Sequence, residues 1–261
     1  MLSHPTIEEL KTLGLSGMAE AMSEQLDDTS AQEMRFEDRL AILVDRERRH
    51  RETRRYRNRL RQAQLRLDVR IEDVDYSAGR GLDRGLIDYL ASNQWIREGR
   101  NLLITGASGC GKSFFACAFG EKACRANLAV RYYRLPRLLE EMAIARADGS
   151  YMRLLKKLAR ADLLILDDWG LAAMTDQQRR DLLEVLDDRC GRAATLVTSQ
   201  YPVADWHGLL GEATVADAIL DRLIHGAYRI ELTGESMRKR YARAEARESD
   251  NAEGEIQRMG A

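Results

Sequence analysis

No run of eighteen or more apolar residues occurs in this chain of 261 residues, so no segment has the length to cross a bilayer as a helix. The opening stretch Met1-Leu-Ser-His-Pro-Thr6 lacks a basic region followed by an apolar one, and the expectation is a cytoplasmic chain with no secretory leader and no membrane partner. Cysteine is scarce: Cys110, Cys117, Cys124 and Cys190 include no C-x-x-C pair and have no histidine at metal spacing. They read as reduced thiols, with Cys117 and Cys124 packing on one helix. No internal repeat is evident, and neither glycine nor proline interrupts the chain from Phe36 to Gly79. What is present, 44% hydrophobic residues, suffices for one sizeable core plus a smaller appendage.

A formal net charge of −1 conceals a concentrated basic run: between Arg46 and Arg61 nine arginines face two glutamates. Phe36, Leu40, Leu43 and Val44 follow helical spacing just upstream, so the run is expected on a helix. Nine guanidinium groups on about four turns cannot all find acids within that helix, which leaves a solvated charged face or contact with a nucleic-acid backbone. The second is favoured, with Arg48, Arg51, Arg54 and Arg55 as candidates. Tyr56, within the run, reads equally as a stacking residue or a packing residue.

Three zones follow along the chain. Residues 1–70 carry only helical signals: a capping box from Thr6 and Glu9, and a stripe of Ile7, Leu10, Met18, Met22 and Leu26 broken near Gly14–Gly17. Residues 71–100 form a connector with a turn over 75–81 and a helix over Leu86–Trp95. From 101 to 240 strands expected at 101–105, 128–133, 163–167, 195–199 and 228–232 alternate with helices, one of them opened by Thr175-x-x-Gln178. This alternation predicts an α/β fold, a parallel five-stranded sheet flanked by helices and preceded by a small all-helical domain. The tail 241–261 is charged and poor in large apolar residues, and disorder is expected there.

Gly106-Ala107-Ser108-Gly109-Cys110-Gly111-Lys112-Ser113 completes the G-x-x-x-x-G-K-[S/T] pattern directly after the apolar strand at 101–105. The glycines let the backbone curl around phosphate oxygens, Lys112 reaches the β/γ-phosphates, and Ser113 offers a hydroxyl to Mg²⁺ where a helix begins. The alternative is an ordinary glycine-rich turn. ATP and Mg²⁺ are therefore the expected cofactors. Cys110, inside the loop, raises the further expectation of sensitivity to thiol oxidation. Leu163-Leu-Ile-Leu-Asp167-Asp168 describes a buried strand delivering two acids at its carboxyl end. Asp167 is the candidate metal partner and Asp168 the candidate for polarising the attacking water, on opposite faces by strand alternation. Gln200, just past Thr195–Ser199, is placed to position water or sense hydrolysis. Arg222 ends a helix before Gly226, and either complements the helix dipole or reaches a neighbouring subunit's triphosphate.

Taken in order, the phosphate loop, Leu-Leu-Ile-Leu-Asp-Asp, Val-Thr-Ser-Gln, Trp206, Ala218-Ile-Leu-Asp-Arg-Leu-Ile-His and Gly234-Glu-Ser-Met-Arg238 resemble the IstB-like family of insertion-sequence ATPase helpers. That family is related to the DnaC and DnaI helicase loaders. The resemblance also takes in Leu13–Ala19 and Phe36–Leu40 and implies an AAA+ P-loop core with little or no lid. It further implies oligomerisation with its own copies on double-stranded DNA, a cognate transposase as partner, and disassembly on ATP hydrolysis. By position it assigns Lys112 and Ser113 to phosphate and Mg²⁺, Asp167 to the metal, Asp168 to water activation, Gln200 to the first sensor and Arg222 to an arginine finger. Asp168 departs from relatives carrying glutamate, and the shorter acid implies slow turnover. Arg238 matches the terminal motif with no assigned contact. Further DNA candidates are Arg131, Arg134 and Arg137, and Arg153, Lys156, Lys157 and Arg160. Competing readings are a replicative helicase loader, a metabolic P-loop kinase and a DNA-binding module indifferent to nucleotide.

Overall fold

The structure, a computed structural model, describes residues 4–76 and 81–234. The expected tail 241–261, Arg238 and residues 77–80 of the expected turn lie outside the described residues. The chain divides into two compact units, Met1–Arg59 and Leu60–Ala261.

The first unit is helical: α1 (Pro5–Thr12), α2 (Ser16–Asp27), α3 (Thr29–Gln32) and most of α4 (Phe36–Ala63). The Thr6/Glu9 capping box is not what opens α1. His4 Nδ1 accepts the Thr6 N–H at 3.3 Å and Pro5 is the first helical residue, because its fixed φ and missing N–H suit that position and start the helix before Thr6 can cap it. The expected stripe of large residues is also corrected. Ile7 is buried, but on α2 the buried positions are Gly17, Ala19, Ala21 and Gln25, while Leu26 is exposed. Small residues win because the helices approach closely: a Cβ on Gly17 would lie 2.8 Å from Arg46 O and Glu47 Cα. At this crossing Glu47 accepts the Gly17 and Met18 N–H groups at 2.8 and 3.2 Å, so α4 caps the start of α2. Burial works against ionising Glu47, yet the Arg51 bond and those N–H groups outweigh it and hold its carboxyl below the ordinary range.

In the second unit α5 (Arg84–Ala91) and α6 (Gln94–Arg97) lead into β1 (Leu102–Gly106), α7 (Lys112–Arg125), β2 (Val130–Arg134), α8 (Leu135–Asp148), α9 (Tyr151–Ala159) and β3 (Leu163–Trp169). α10 (Asp176–Arg189), β4 (Ala194–Ser199), α11 (Trp206–Leu210), α12 (Ala213–Ile224) and β5 (Tyr228–Leu232) complete it. The sheet order is β2-β3-β4-β1-β5 with every pair parallel. From β1 the chain leaves through α7 to the far edge, and from β4 it passes over β1 to β5. β1 therefore borders a switch point, where the crevice beyond the carboxyl ends of the strands receives ligands. Leu102, Leu103 and Ile104 are fully buried, each contributing about 1.5–3 kcal/mol of burial free energy. The capping box at Thr175 and Gln178 is formed in both directions, at 3.3 and 2.9 Å. Cys110, Cys117 and Cys124 are buried, Cys190 is exposed, and none is in a disulfide. Among the described residues no helix is long and apolar enough to cross a membrane.

Arg189, 1% exposed, closes the edge of the sheet opposite the crevice. It donates to Leu158 O and Ala161 O at 2.7 and 2.8 Å, to Thr195 Oγ1 at 3.2 Å, and to Ala194 O. Burial pulls its pKa to about 10, so at neutral pH it remains a cation solvated by carbonyls. Arg189→Ala leaves those carbonyls unpaired around a cavity and is expected to cost on the order of 3 kcal/mol, checked by urea denaturation.

Candidate functional site

β1 ends where the chain must turn sharply. Gly106 has φ +145°, and a Cβ there would lie 2.3 Å from Leu232 O of the neighbouring strand, so the loop opens on a residue without a side chain. Gly109 and Gly111 also have positive φ, and α7 begins at Lys112. Ala107 and Ser108 form the exposed tip, and Cys110 packs beneath, 1% exposed. Lys112 Nζ folds back onto Gly106 O and Ala107 O at 2.7 and 2.8 Å. Burial lowers its pKa, and the charges of Cys110, Asp167 and Asp168 offset part of that shift.

Opposite the loop, Asp167 is 1% exposed and gathers three hydroxyls. Ser113 Oγ donates to Oδ2 at 2.8 Å, Tyr132 OH donates to Oδ2 at 2.5 Å, and Thr198 Oγ1 donates to Oδ1. Burial and the Asp167 bond push the Tyr132 phenol far above its ordinary value, which keeps it a donor. Arg66 Nη1 lies 3.9 Å from Oδ2. Asp168 is separated from Asp167 by a break in the ladder more than by simple alternation: the β3–β4 register shifts between Leu166 and Trp169, and Asp168 adopts φ +65°. Its N–H donates to Thr198 Oγ1 at 3.2 Å and its carboxylate accepts Arg134 Nε at 2.6 Å.

These residues fit a nucleoside triphosphate with a divalent cation. The loop has no room for a Cβ at Gly106, an ammonium and a helix start face it, and one hydroxyl and one carboxylate meet beside it. No cluster of three or more His, Cys, Asp or Glu able to hold a metal occurs among the described residues.

The other sequence candidates fall elsewhere. Gln200 is exposed just past β4, at the carboxyl edge. Arg222 is at the opposite edge of the sheet. Asn101 Nδ2, immediately before β1, donates to Arg222 O and Leu223 O at 2.8 and 3.2 Å, whereas the phosphate loop follows β1, about 16 Å along the strand. The Arg222 guanidinium pairs with Asp187 and donates to Ala218 O. Of the basic candidates, Arg134 belongs to the acid site through Asp168. Arg131, Lys156 and Lys157 line an open groove of about 590 Å³ with Arg153, Arg160 and Met152. Arg131 also donates to Gln62 O at 2.5 Å and Lys157 to Tyr133 OH at 2.9 Å, while Arg137 is exposed on α8. In the first unit Arg48 pairs with Asp45 at 2.7 Å and Arg51 with Glu47 at 2.6 Å. Arg54 and Arg55 are exposed beside a groove of about 360 Å³ and have no carboxylate partner among the described residues.

Tyr132, Thr198 and Arg66 escaped the sequence reading. Thr198 had a usable signal, since a polar residue near the end of an apolar strand next to β3 lies level with the acids. Tyr132 and Arg66 had none without the strand order.

A family model described as IstB-like ATP binding protein matches residues 8–245. The insertion sequence ATP-binding protein y4pL of Sinorhizobium fredii is 50% identical over 243 residues, 93% of this chain and 99% of that protein. The DnaC helicase loader superposes with a TM-score of 0.55 at 18% identity, covering 66% of this chain and 100% of that one. DnaI gives 0.55 at 23%, covering 64% and 92%. These two likenesses concern the fold alone, a parallel five-stranded sheet flanked by helices.

Gly106→Ala is expected to weaken binding of a fluorescent ATP analogue at least tenfold and to destabilise by about 1–3 kcal/mol, read by titration and thermal unfolding. Gly149→Ala, at φ +78° with nothing within 4 Å, isolates the dihedral strain and is expected to leave binding intact.

Proposed function

The chain belongs to the family of IstB-like ATP-binding proteins, and we propose that it is a Mg²⁺-dependent ATPase that assembles on duplex DNA, recruits and stimulates a cognate transposase, and comes apart on hydrolysis. The observation that carries the ATPase reading is the meeting of Ser113 and Asp167 at 2.8 Å beside the Lys112 loop. A divalent cation bound there would neutralise negative charge on the triphosphate. Ser113 and Asp167 would hold it, directly or through water. Lys112 exchanges its two carbonyl contacts for phosphate oxygens. Asp168 acts on the attacking water once its pair with Arg134 opens, and Gln200, at the same edge, orients that water.

Arg222 enters from another copy. Its place beyond the amino end of β1 keeps it from its own loop, so an arginine finger at this position works only in an assembly. DNA contact is assigned to Arg54 and Arg55 in the first unit and to the groove of Arg131, Lys156 and Lys157 in the second, both directed at phosphates and independent of sequence. A replicative helicase loader shares the fold. The match over residues 8–245 to an insertion-sequence family favours the transposition reading.

Steady-state turnover measured across protein concentration, with and without duplex, tests this. Specific activity is expected to rise with concentration and with DNA, and DNA affinity to fall steeply with salt. Asp168→Asn is expected to bind ATP while losing at least 100-fold in turnover, and Arg222→Ala to bind nucleotide without DNA stimulation. Turnover that is the same at every dilution and indifferent to duplex refutes the shared site.

A further inference from the structure

From the last turn of α4 through the Ile71–Asp73 turn the chain lies along α7 and the edge strand β2 like a strap. Gln62 O accepts Arg131 Nη1 at 2.5 Å. Leu65 fills the space over Gly120, where an added Cβ would meet it at 2.9 Å, and the backbone of Arg66 and Leu67 hydrogen-bonds Cys117 Sγ. Glu72 accepts Lys122 and Arg125, both of α7, at 2.9 and 3.0 Å. These four attachments deliver one side chain to the acid site: Arg66 Nη1, 3.9 Å from Asp167 Oδ2.

Charge balance gives that position meaning. The three hydroxyls on Asp167 orient its carboxylate but bring no positive charge. Lys112 donates to loop carbonyls and Arg134 to Asp168; both feel the Asp167 charge from farther off, and among the described residues Arg66 is the cation within ion-pair distance of it. A guanidinium and a divalent ion drawn to one buried carboxylate repel each other. The Arg66 side chain is 42% exposed and has an open path to water, whereas Asp167 has none.

We propose that Arg66 is a positioning residue that stands in for the metal's charge at Asp167 in the nucleotide-free protein and is displaced when Mg²⁺·ATP binds, loosening the strap at residues 62–72. The inference rests on the reading of Asp167 as the metal-site acid and adds to it how loading is sensed. Because α4 ends at Ala63, the strap that responds is the chain's own continuation of the arginine-rich helix.

Full-length wild-type protein, Arg66→Gln and Arg66→Lys are titrated with a fluorescent ATP analogue in Mg²⁺ and in EDTA. Arg66→Gln is expected to bind about 3- to 10-fold tighter in Mg²⁺, where a competing cation is gone, and weaker by a similar factor in EDTA, where Asp167 then repels the bare triphosphate. Arg66→Lys is expected to follow wild type in both. Equal fold-changes in the two buffers overturn the proposal. Hydrogen exchange on wild-type protein gives a second readout that does not depend on the variant folding: amides of 62–72 are expected to exchange faster with Mg²⁺·ATP than with ATP in EDTA, and unchanged exchange also overturns it. Wild-type protein that binds no ATP in either buffer overturns the ATPase reading itself, a different result from binding with equal factors.

Discussion

A carboxylate buried to 1% exposure is tolerated only where donors replace the water it lost, and Asp167 obtains them from three separate elements. Tyr132 comes from β2, Thr198 from β4 and Ser113 from the first turn of α7. That arrangement requires β3 to run between β2 and β4, and requires the loop after β1 to arrive within hydrogen-bond reach from the next strand but one. The sheet order β2-β3-β4-β1 meets both requirements at once. A permuted order leaves the acid short of partners, so the group best suited to metal chemistry also penalises the wrong topology.

The same node explains the local irregularities. Thr198 Oγ1 donates to Asp167 and accepts the Asp168 N–H, and one hydroxyl can serve both only if the chain between the acids departs from a regular ladder. The register shift and the φ of +65° at Asp168 are that departure. The left-handed conformation costs roughly 1 kcal/mol or more at a non-glycine residue, and the Arg134 pair at 2.6 Å together with the Thr198 bond holds it in place. Strain therefore sits at the residue proposed to act on water.

Legibility in the sequence followed how local each signal was. The loop, the two acids and the alternation of strands and helices are contiguous patterns, so the parallel sheet and its nucleotide edge could be read directly. Thr175 and Gln178 cap their helix as their spacing implies. α2 misled because its buried side is set by a close helix crossing at Gly17, and hydrophobicity carries no record of a backbone contact. α1 misled because Pro5 overrode a nearby capping pattern. Tyr132 and Arg66 lie 35 and 101 residues from Asp167 in the chain, and nothing in the residues between announces either approach. The arginine run was legible as charge, but Glu47, counted as one of its two acids, is buried as the cap of α2.

The cations of the acid site are all committed. Lys112 is held by the loop, Arg134 by Asp168 and Arg66 by Asp167, and among the described residues no further cation is paired with either acid. In the mechanism proposed above Lys112 serves the bound triphosphate while Arg66 and Arg134 leave their acids, and none of the three is assigned to the charge that develops on the transferred phosphoryl group. Arg222 is held at the far edge of the sheet by Asn101 through its backbone carbonyl, and its side chain is anchored by a half-exposed carboxylate, Asp187, and by the Ala218 carbonyl at 2.7 Å. For Arg222 to reach a neighbouring molecule, as proposed, would cost that partly solvated ion pair, worth at most about 1 kcal/mol, and the bond to Ala218 O, worth about 1.5–3 kcal/mol for a charged donor. Its own backbone site is not disturbed by the exchange. Local cations paired with the site's own acids, and an arginine at the opposite edge held by one carbonyl and one half-exposed carboxylate, are the two features on which the proposal of chemistry completed between copies rests.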